Sequence, residues 1–207
     1  SLYDRYGQKV MAGDSLSSTV TPVTISQSGR YTLVLDAFSS NVANAQVAYA
    51  FTARQFVDGT QTLPADGVVL GQIQAPGQVQ SYTFDVQTAD VWAFDSWTNR
   101  GDMAWSLLRD GVAIINSVTL SGSDASQRLS AMRLEAAHYE LRVWAGSNAT
   151  GEFQFQMLQG AQAGALTLGT SVQGTLNPGR ATQAYRLTGT AGDKLAYTAV
   201  SGGYYDA

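Results

Sequence analysis

Val79-Gln80-Ser81-Tyr82-Thr83-Phe84-Asp85-Val86 puts apolar side chains at 82, 84 and 86 and polar ones at 81, 83 and 85. Successive side chains on a strand point to opposite faces, so a period of two reads as a strand with one face buried. The same alternation sets Tyr139, Leu141 and Val143 against Glu140, Arg142 and Trp144, and Phe153, Phe155 and Met157 against Gln154 and Gln156. Further strands are predicted at 68–74, 91–97, 103–108, 112–118 and 127–134, and in the flanking stretches at 17–25, 30–37, 45–54, 171–176, 182–188 and 193–200. Turn signals such as Ala75-Pro76-Gly77, Asn99-Arg100-Gly101-Asp102, Arg109-Asp110-Gly111 and Asn177-Pro178-Gly179 separate them. Only 130–137 has helical character, and its counterpart Thr24-Ile25-Ser26-Gln27-Ser28-Gly29 would make a poor helix. The expectation is all-β: tandem antiparallel β-sandwiches of jelly-roll type, each about a hundred residues with roughly eight strands.

The tandem organisation is read from recurrence. Gly71-Gln72-Ile73 followed by Ser81-Tyr82-Thr83-Phe84 returns 103 residues later as Gly174-Thr175-Leu176 followed by Ala184-Tyr185-Arg186-Leu187. Gly29-Arg30-Tyr31-Thr32-Leu33-Val34-Leu35 corresponds to Ala137-His138-Tyr139-Glu140-Leu141-Arg142-Val143 at an offset of 108, and Leu2-Tyr3 corresponds to Leu107-Leu108. A repeat of this length is a whole domain. The expected division is the C-terminal half of one unit over 1–57, a complete unit over 58–158, and the N-terminal half of another over 159–207.

Composition narrows the function classes. The 207 residues are 44% hydrophobic and 14% charged, with a net charge of −4. That balance supplies a core but no basic stripe for nucleic acid. No cysteine is present, which removes disulfide scaffolds and thiolate metal sites. No apolar run approaches the roughly 18 residues of a membrane span. A cysteine-free, lysine-poor, polar chain is common among large secreted and surface proteins of bacteria, so that localisation is expected.

The motifs resemble those of the bacterial pre-peptidase C-terminal domain family and related jelly-roll repeats. The resemblance rests on a Gly-x-Leu strand (Gly174-Thr175-Leu176), an aromatic strand over 182–187, and Ala191-Gly192-Asp193-Lys194-Leu195. It continues in the hairpin Leu2-Tyr3-Asp4-Arg5-Tyr6-Gly7 and in Gly29-Arg30-Tyr31-Thr32-Leu33-Val34-Leu35. The central unit departs from the pattern at Thr88-Ala89-Asp90-Val91 and at Ala137-His138-Tyr139. The resemblance implies a β-sandwich of secreted or surface-anchored proteins, with no catalytic residue and no obligatory cofactor.

Several residues could still carry chemistry. The lone histidine, His138, excludes His-cluster metal sites and reads as a solvated residue at the start of a strand. Carboxylates gather at Asp85, Asp90, Asp95, Asp102 and Asp110; a pair could hydrolyse glycosides, but Asp102 and Asp110 sit in turns that favour Asp for its backbone hydrogen bonds. Calcium suits such turn oxygens, with Asp102, Asp110 and Asp124 the candidate ligands. All four tryptophans, at 92, 97, 105 and 144, fall in the central unit. Trp92 and Trp97 are spaced to face opposite sides, and Trp144, out of phase with its apolar neighbours, is expected outside. Trp97 and Trp144 with Asp95, Asn99 and Arg100 form the candidate sugar platform; the competing reading is core or inter-domain packing.

The expected function is a non-catalytic structural or adhesive segment of a large surface protein, partnered by other repeats or neighbouring copies. The alternative is a carbohydrate-binding accessory module with glycans as ligands. The halves 159–207 and 1–57 are complementary and are expected to dock, within one chain or between chains.

Overall fold

The computed structural model describes residues 1–11, 22–36, 46, 48–123, 131–146 and 148–198. Its strands are β1 (Leu2–Tyr3), β2 (Lys9–Met11), β3 (Thr32–Leu33), β4 (Gly59–Thr62), β5 (Val68–Ile73), β6 (Val79–Val86) and β7 (Asp90–Ser96). They continue as β8 (Met103–Arg109), β9 (Val112–Thr119), β10 (Met132–Leu134), β11 (Ala137–Ala145), β12 (Gly151–Gln159), β13 (Gly164–Ala165) and β14 (Tyr185–Arg186). Single 3₁₀ turns at Leu120–Gly122 and Gly160–Gln162 are the described helical elements, and none is long and apolar enough to cross a membrane.

The central strands make an all-β sandwich. One sheet has the order β10-β7-β12-β5 and the other β4-β6-β11-β8-β9. Among β5 to β12 the first strand pairs with the last, the second with the seventh, the third with the sixth and the fourth with the fifth, all antiparallel. That is a long hairpin rolled over on itself, the jelly roll. β4 is added to the edge of β6 as its one parallel neighbour. Asp110-Gly111, both at positive φ (49° and 82°), turn β8 into β9, the tight turn whose twist matches that of the strands.

The alternation in the sequence becomes the core. Tyr82, Phe84, Val86, Trp105, Leu107, Tyr139, Leu141 and Val143 point inward from one sheet, and Val69, Ile73, Trp92, Phe94, Phe153, Phe155 and Met157 from the other. Rings bridge the layers: Phe94 stacks on Trp105 with centroids 4.1 Å apart, and Tyr82 meets Phe155 edge-on at 5.4 Å. The indole N–H of Trp105 donates to Ser123 Oγ at 2.7 Å, and that hydroxyl donates to Thr119 O at 2.6 Å, so the buried polar atom is satisfied. Among the described residues every buried hydrophobic lies between Leu63 and Met157.

The chain crosses this sandwich from end to end. It arrives beside the β5–β6 turn, where Gln78 Nε2 donates to Val57 O (2.8 Å) and Val79 N donates to Asp58 Oδ1 (2.9 Å). It leaves at the far end of β12, where Ala161 N donates to Asp90 Oδ2 at 2.8 Å, Asp90 being the first residue of β7. At about 3.3 Å per residue, nine-residue β12 separates the two ends by about 30 Å.

Two strand pairings in the flanks repeat registers of the central sandwich. β13 pairs parallel with β14 through Gly164 opposite Tyr185 and Ala165 opposite Arg186. Shifted by 103 residues, these are Gln61 opposite Tyr82 and Thr62 opposite Thr83, the pairing of β4 with β6. The sheet β2-β1-β3 pairs Leu2 with Leu33 and Tyr3 with Thr32. Under the alignment in the sequence these are Leu107 with Leu141 and Leu108 with Glu140, the pairing of β8 with β11.

Strand expectations fail mainly in the flanks. Segments 171–176 and 193–198 are not strands, nor are the described residues of 17–25 and 45–54; 30–37 and 182–188 shrink to β3 and β14, and 127–134 to β10. Residues 199–200, 12–21, 37–45, 47 and 124–130 lie outside the described residues. The physical reason is pairing. A strand needs a neighbour for its backbone groups, and among the described residues 171–176 and 193–198 have no ladder partner.

Candidate functional site

The β5–β6, β7–β8, β9–β10 and β11–β12 connections meet at one end of the sandwich, and Arg100 holds three of them together. Its Nε and Nη2 donate to Asp102 Oδ1 and Oδ2 at 2.9 and 2.7 Å, a bidentate pair, while Nη1 donates to Thr150 O at 2.9 Å. Ser121 N donates to Arg100 O, and Gly146 N donates to Asp102 O at 2.8 Å. The hydrogen bond from Arg100 holds the Asp102 carboxyl below the ordinary carboxylate range, and Asp102 in turn raises the guanidinium. Gly151, at φ 125°, leaves space for this guanidinium: a Cβ there would stand 2.7 Å from Nη1.

Asp95 and Trp97 point outward from the β10-β7-β12-β5 sheet, two residues apart on one face. Asp95 is nonetheless wholly buried, its Oδ2 accepting from Trp97 Nε1 at 2.9 Å and from Thr182 N at 2.8 Å. The segment that precedes β14 therefore lies over this face. Trp97 continues the ladder past the end of β7, its N–H donating to Gln154 O at 3.0 Å. Asn99 is exposed in the β7–β8 loop.

Trp144 belongs to the opposite sheet. It sits half-buried on the outer side of β11, level with Val79 of β6 and Ala104 of β8. Trp97 and Trp144 thus share one end of the sandwich but not one face. Trp144 closes a polar row that the sequence left unassembled. Arg142 donates from Nε and Nη2 to Glu140 Oε1 and Oε2 at 2.9 and 2.8 Å, which holds Glu140 below the ordinary carboxylate range. His138 Nδ1 lies 2.7 Å from Asp85 Oδ1 directly across the strands. The signal for both contacts was present in the alternation: once the β6–β11 register is known, the outward partners follow.

The carboxylates considered for calcium are dispersed. Asp102 precedes β8 and Asp110 follows it, so seven strand residues, about 23 Å, stand between them. Asp102 is engaged by Arg100, Asp110 lies 3.9 Å from Arg109 Nε, and Asp124 is outside the described residues. Among the described residues no three metal-ligating side chains converge. An open hollow of about 600 Å³ lies at the loop end between 54–57 and the β5–β6 turn, lined by Arg54, Phe56, Gln74 and Gln78 among others. Gln78 is committed to the fold there, bridging Gln74 N and Val57 O.

No protein-family model matches the chain, and no curated protein matches it. Among solved structures it is similar to the pre-peptidase C-terminal domain of a collagenase from Bacillus anthracis, at 17% identity over 52% of this chain and 100% of that one, with a TM-score of 0.37. It is also similar to a mutant of PliG-Ec, a periplasmic inhibitor of g-type lysozyme from Escherichia coli, at 17% identity over 48% of this chain and 99% of that one, with a TM-score of 0.33. The first belongs to the family whose strand motifs this sequence resembles.

Proposed function

We propose that this chain is a stretch of a non-catalytic array of β-sandwiches, serving as a spacer or adhesive stalk in a secreted or surface protein of a bacterium. The observation that carries the reading is the path of the chain. It reaches the central sandwich at one end and leaves about 30 Å away at the other. Units entered at one end and left at the other can be strung one after another, with the segment before β14 turned back onto the outer face at Asp95 as the contact between neighbours. The recurrence of the β4–β6 and β8–β11 registers in the flanks supports the same reading, and so does the cysteine-free, acidic composition. The open end is also built from side chains already bound to one another, Arg100 to Asp102 and Thr150 above all.

The test is shape. Small-angle scattering is compared for the 207-residue chain and for a version with 58–158 repeated once in tandem. The array reading expects the maximum dimension to grow by about the length of a sandwich, roughly 30–40 Å. Side-by-side packing, with little growth in length, would overturn it.

One observation favours a second reading, binding of a glycan: the outward indole of Trp144 beside the Glu140–Arg142 pair. An aromatic face with flanking hydrogen-bonding groups suits a sugar ring. Binding on a glycan array that disappears with Trp144→Ala supports it; binding that survives the substitution removes Trp144 from the site.

A further inference from the structure

The turn before β14 is held differently from its counterpart in the central sandwich. There the amide that opens β6, Val79 N, donates to Asp58 Oδ1 at 2.9 Å, a carboxylate just before β4. Beside it the buried Gln78 ties the same turn to its own unit, its Oε1 accepting from Gln74 N and its Nε2 donating to Val57 O. At the repeat offset of 103, Val79 becomes Thr182, Asp58 becomes Ala161 and Gln78 becomes Ala181. Both side chains that hold the turn in the central sandwich are thus replaced together by methyl groups.

The backbone arrangement is nevertheless kept. β13 and β14 pair in the register of β4 and β6, which carries 161 alongside 182 as 58 stands alongside 79. A part-buried amide needs an acceptor, and Thr182 N takes one from the central sandwich, Asp95 Oδ2 at 2.8 Å. Asp95 is wholly buried, and the same oxygen accepts from Trp97 Nε1 at 2.9 Å, which fixes the carboxylate in place. A hydrogen bond to an ionised acceptor is about twice as strong as a neutral one. Toward the other end of β7, Ala161 N donates to Asp90 Oδ2 at 2.8 Å. The segment therefore lies along β7 and meets a carboxylate near each of its ends.

We propose that Asp95 is a seat for the following repeat, and that residue 161 decides whether the seat is used. An aspartate before β4, as at 58, closes the turn within its own unit. An alanine at the same place, as at 161, leaves the turn amide to the carboxylate of the preceding sandwich, and the neighbours are fixed to one another. The partner that fits the seat is a β5–β6-type turn whose own unit supplies no carboxylate. The inference rests on the array reading, to which it adds the residue that joins neighbours and the position that releases them.

The chain has no cysteine, so the 207-residue protein is spin-labelled at Val112→Cys and Lys194→Cys, both exposed. Two variants are compared with this parent. Ala161→Asp, at an exposed site, restores the carboxylate to the segment's own unit; Asp95→Ala removes the one in the sandwich. The parent is expected to give a narrow distribution of label-to-label distances and a Thr182 amide protected from hydrogen exchange. Ala161→Asp should at least double the width, the segment swinging about its bond to Asp90, while Thr182 stays protected by its new acceptor. Asp95→Ala should widen the distribution as much and cut the protection of Thr182 at least tenfold. A width like the parent's in either variant, or loss of Thr182 protection in Ala161→Asp, would overturn the proposal. If Asp95→Ala unfolds the sandwich, Ala161→Asp decides alone. The tandem sandwiches of the scattering test carry Asp58 at their added joint, so failure here leaves the array reading to that test.

Discussion

Gly71 lies directly under the ring of Tyr82, eleven residues later in the chain: a Cβ on Gly71 would be 2.6 Å from the Tyr82 hydroxyl oxygen and 2.2 Å from Phe153 Cζ. Gly174 stands in the same relation to Tyr185, but at 3.7 Å, an ordinary contact. The glycine is thus a packing device of the inner face of β5, where Val69 and Ile73 are its inward neighbours. In the central unit the space is taken up by two buried rings; in the C-terminal flank it is still open.

Gly71→Ala and Gly174→Ala are therefore predicted to differ. Overpacking against fixed rings costs about 1–3 kcal/mol, so Gly71→Ala should lower the denaturant midpoint of the central sandwich with little change in slope. Gly174→Ala should leave that midpoint within about 0.5 kcal/mol. Equal effects at the two positions would mean that Phe153 and Tyr82 yield readily.

Ser123 is the polar anchor of the core. Its hydroxyl takes the Trp105 N–H and passes its own proton to Thr119 O, linking the innermost indole to the start of the 3₁₀ turn. Ser123→Ala leaves a buried N–H without its acceptor, at a cost of about 1–3 kcal/mol. Trp105 fluorescence should report the change, since three of the four tryptophans keep their surroundings. An unchanged stability would mean that another acceptor replaces the hydroxyl.

The alternation in 79–86 and 137–145 made the central strands and the inward and outward faces legible, because burial of one face imposes a period of two. The recurrence of Gly71 and Tyr82 as Gly174 and Tyr185 is matched in the structure by the register that β13–β14 shares with β4–β6. Strand propensity could not show that 171–176 and 193–198 would lack strand structure, because a strand exists only with a neighbour and the pattern carries no record of whether one is present. The site was harder for a different reason. Sequence neighbourhood groups Asp95 and Trp97 with Trp144, Asn99 and Arg100, but the bond from Thr182 to Asp95 joins residues 87 apart in the chain, beyond any local pattern. Likewise the tie from Arg100 to Thr150 O crosses between loops and involves a backbone acceptor that no side-chain motif marks.

Tyr82 also sets an alkaline limit. Burial pushes its hydroxyl from 10.0 up to about 12. The folded state thus holds this proton more tightly than the unfolded chain. Its contribution is full below pH 10 and declines as the pH rises toward 12, by up to about 3 kcal/mol for two units. Tyr82→Phe cannot lose a proton and should flatten that part of the stability curve. A variant that follows the same alkaline decline would place its origin elsewhere.

Arg100 offers the complementary test in acid. Replacement by Met removes the pair with Asp102 and the bond to Thr150 O together. The ion pair is half exposed and contributes at most about 1 kcal/mol; with the charged bond to a backbone carbonyl, the total loss at neutral pH should be about 1–3 kcal/mol. The two parts separate by pH. Asp102 is held below the ordinary range by Arg100, so its share is present above the unfolded carboxylate pKa of about 3.9 and disappears as the pH falls through the lower folded value. The Thr150 share does not titrate. The stability gap between Arg100→Met and the parent should therefore narrow below about pH 4 without closing. The Asp102 carboxyl, followed by NMR, should titrate higher in the variant. A gap independent of pH would show that the guanidinium holds the loops through Thr150 alone.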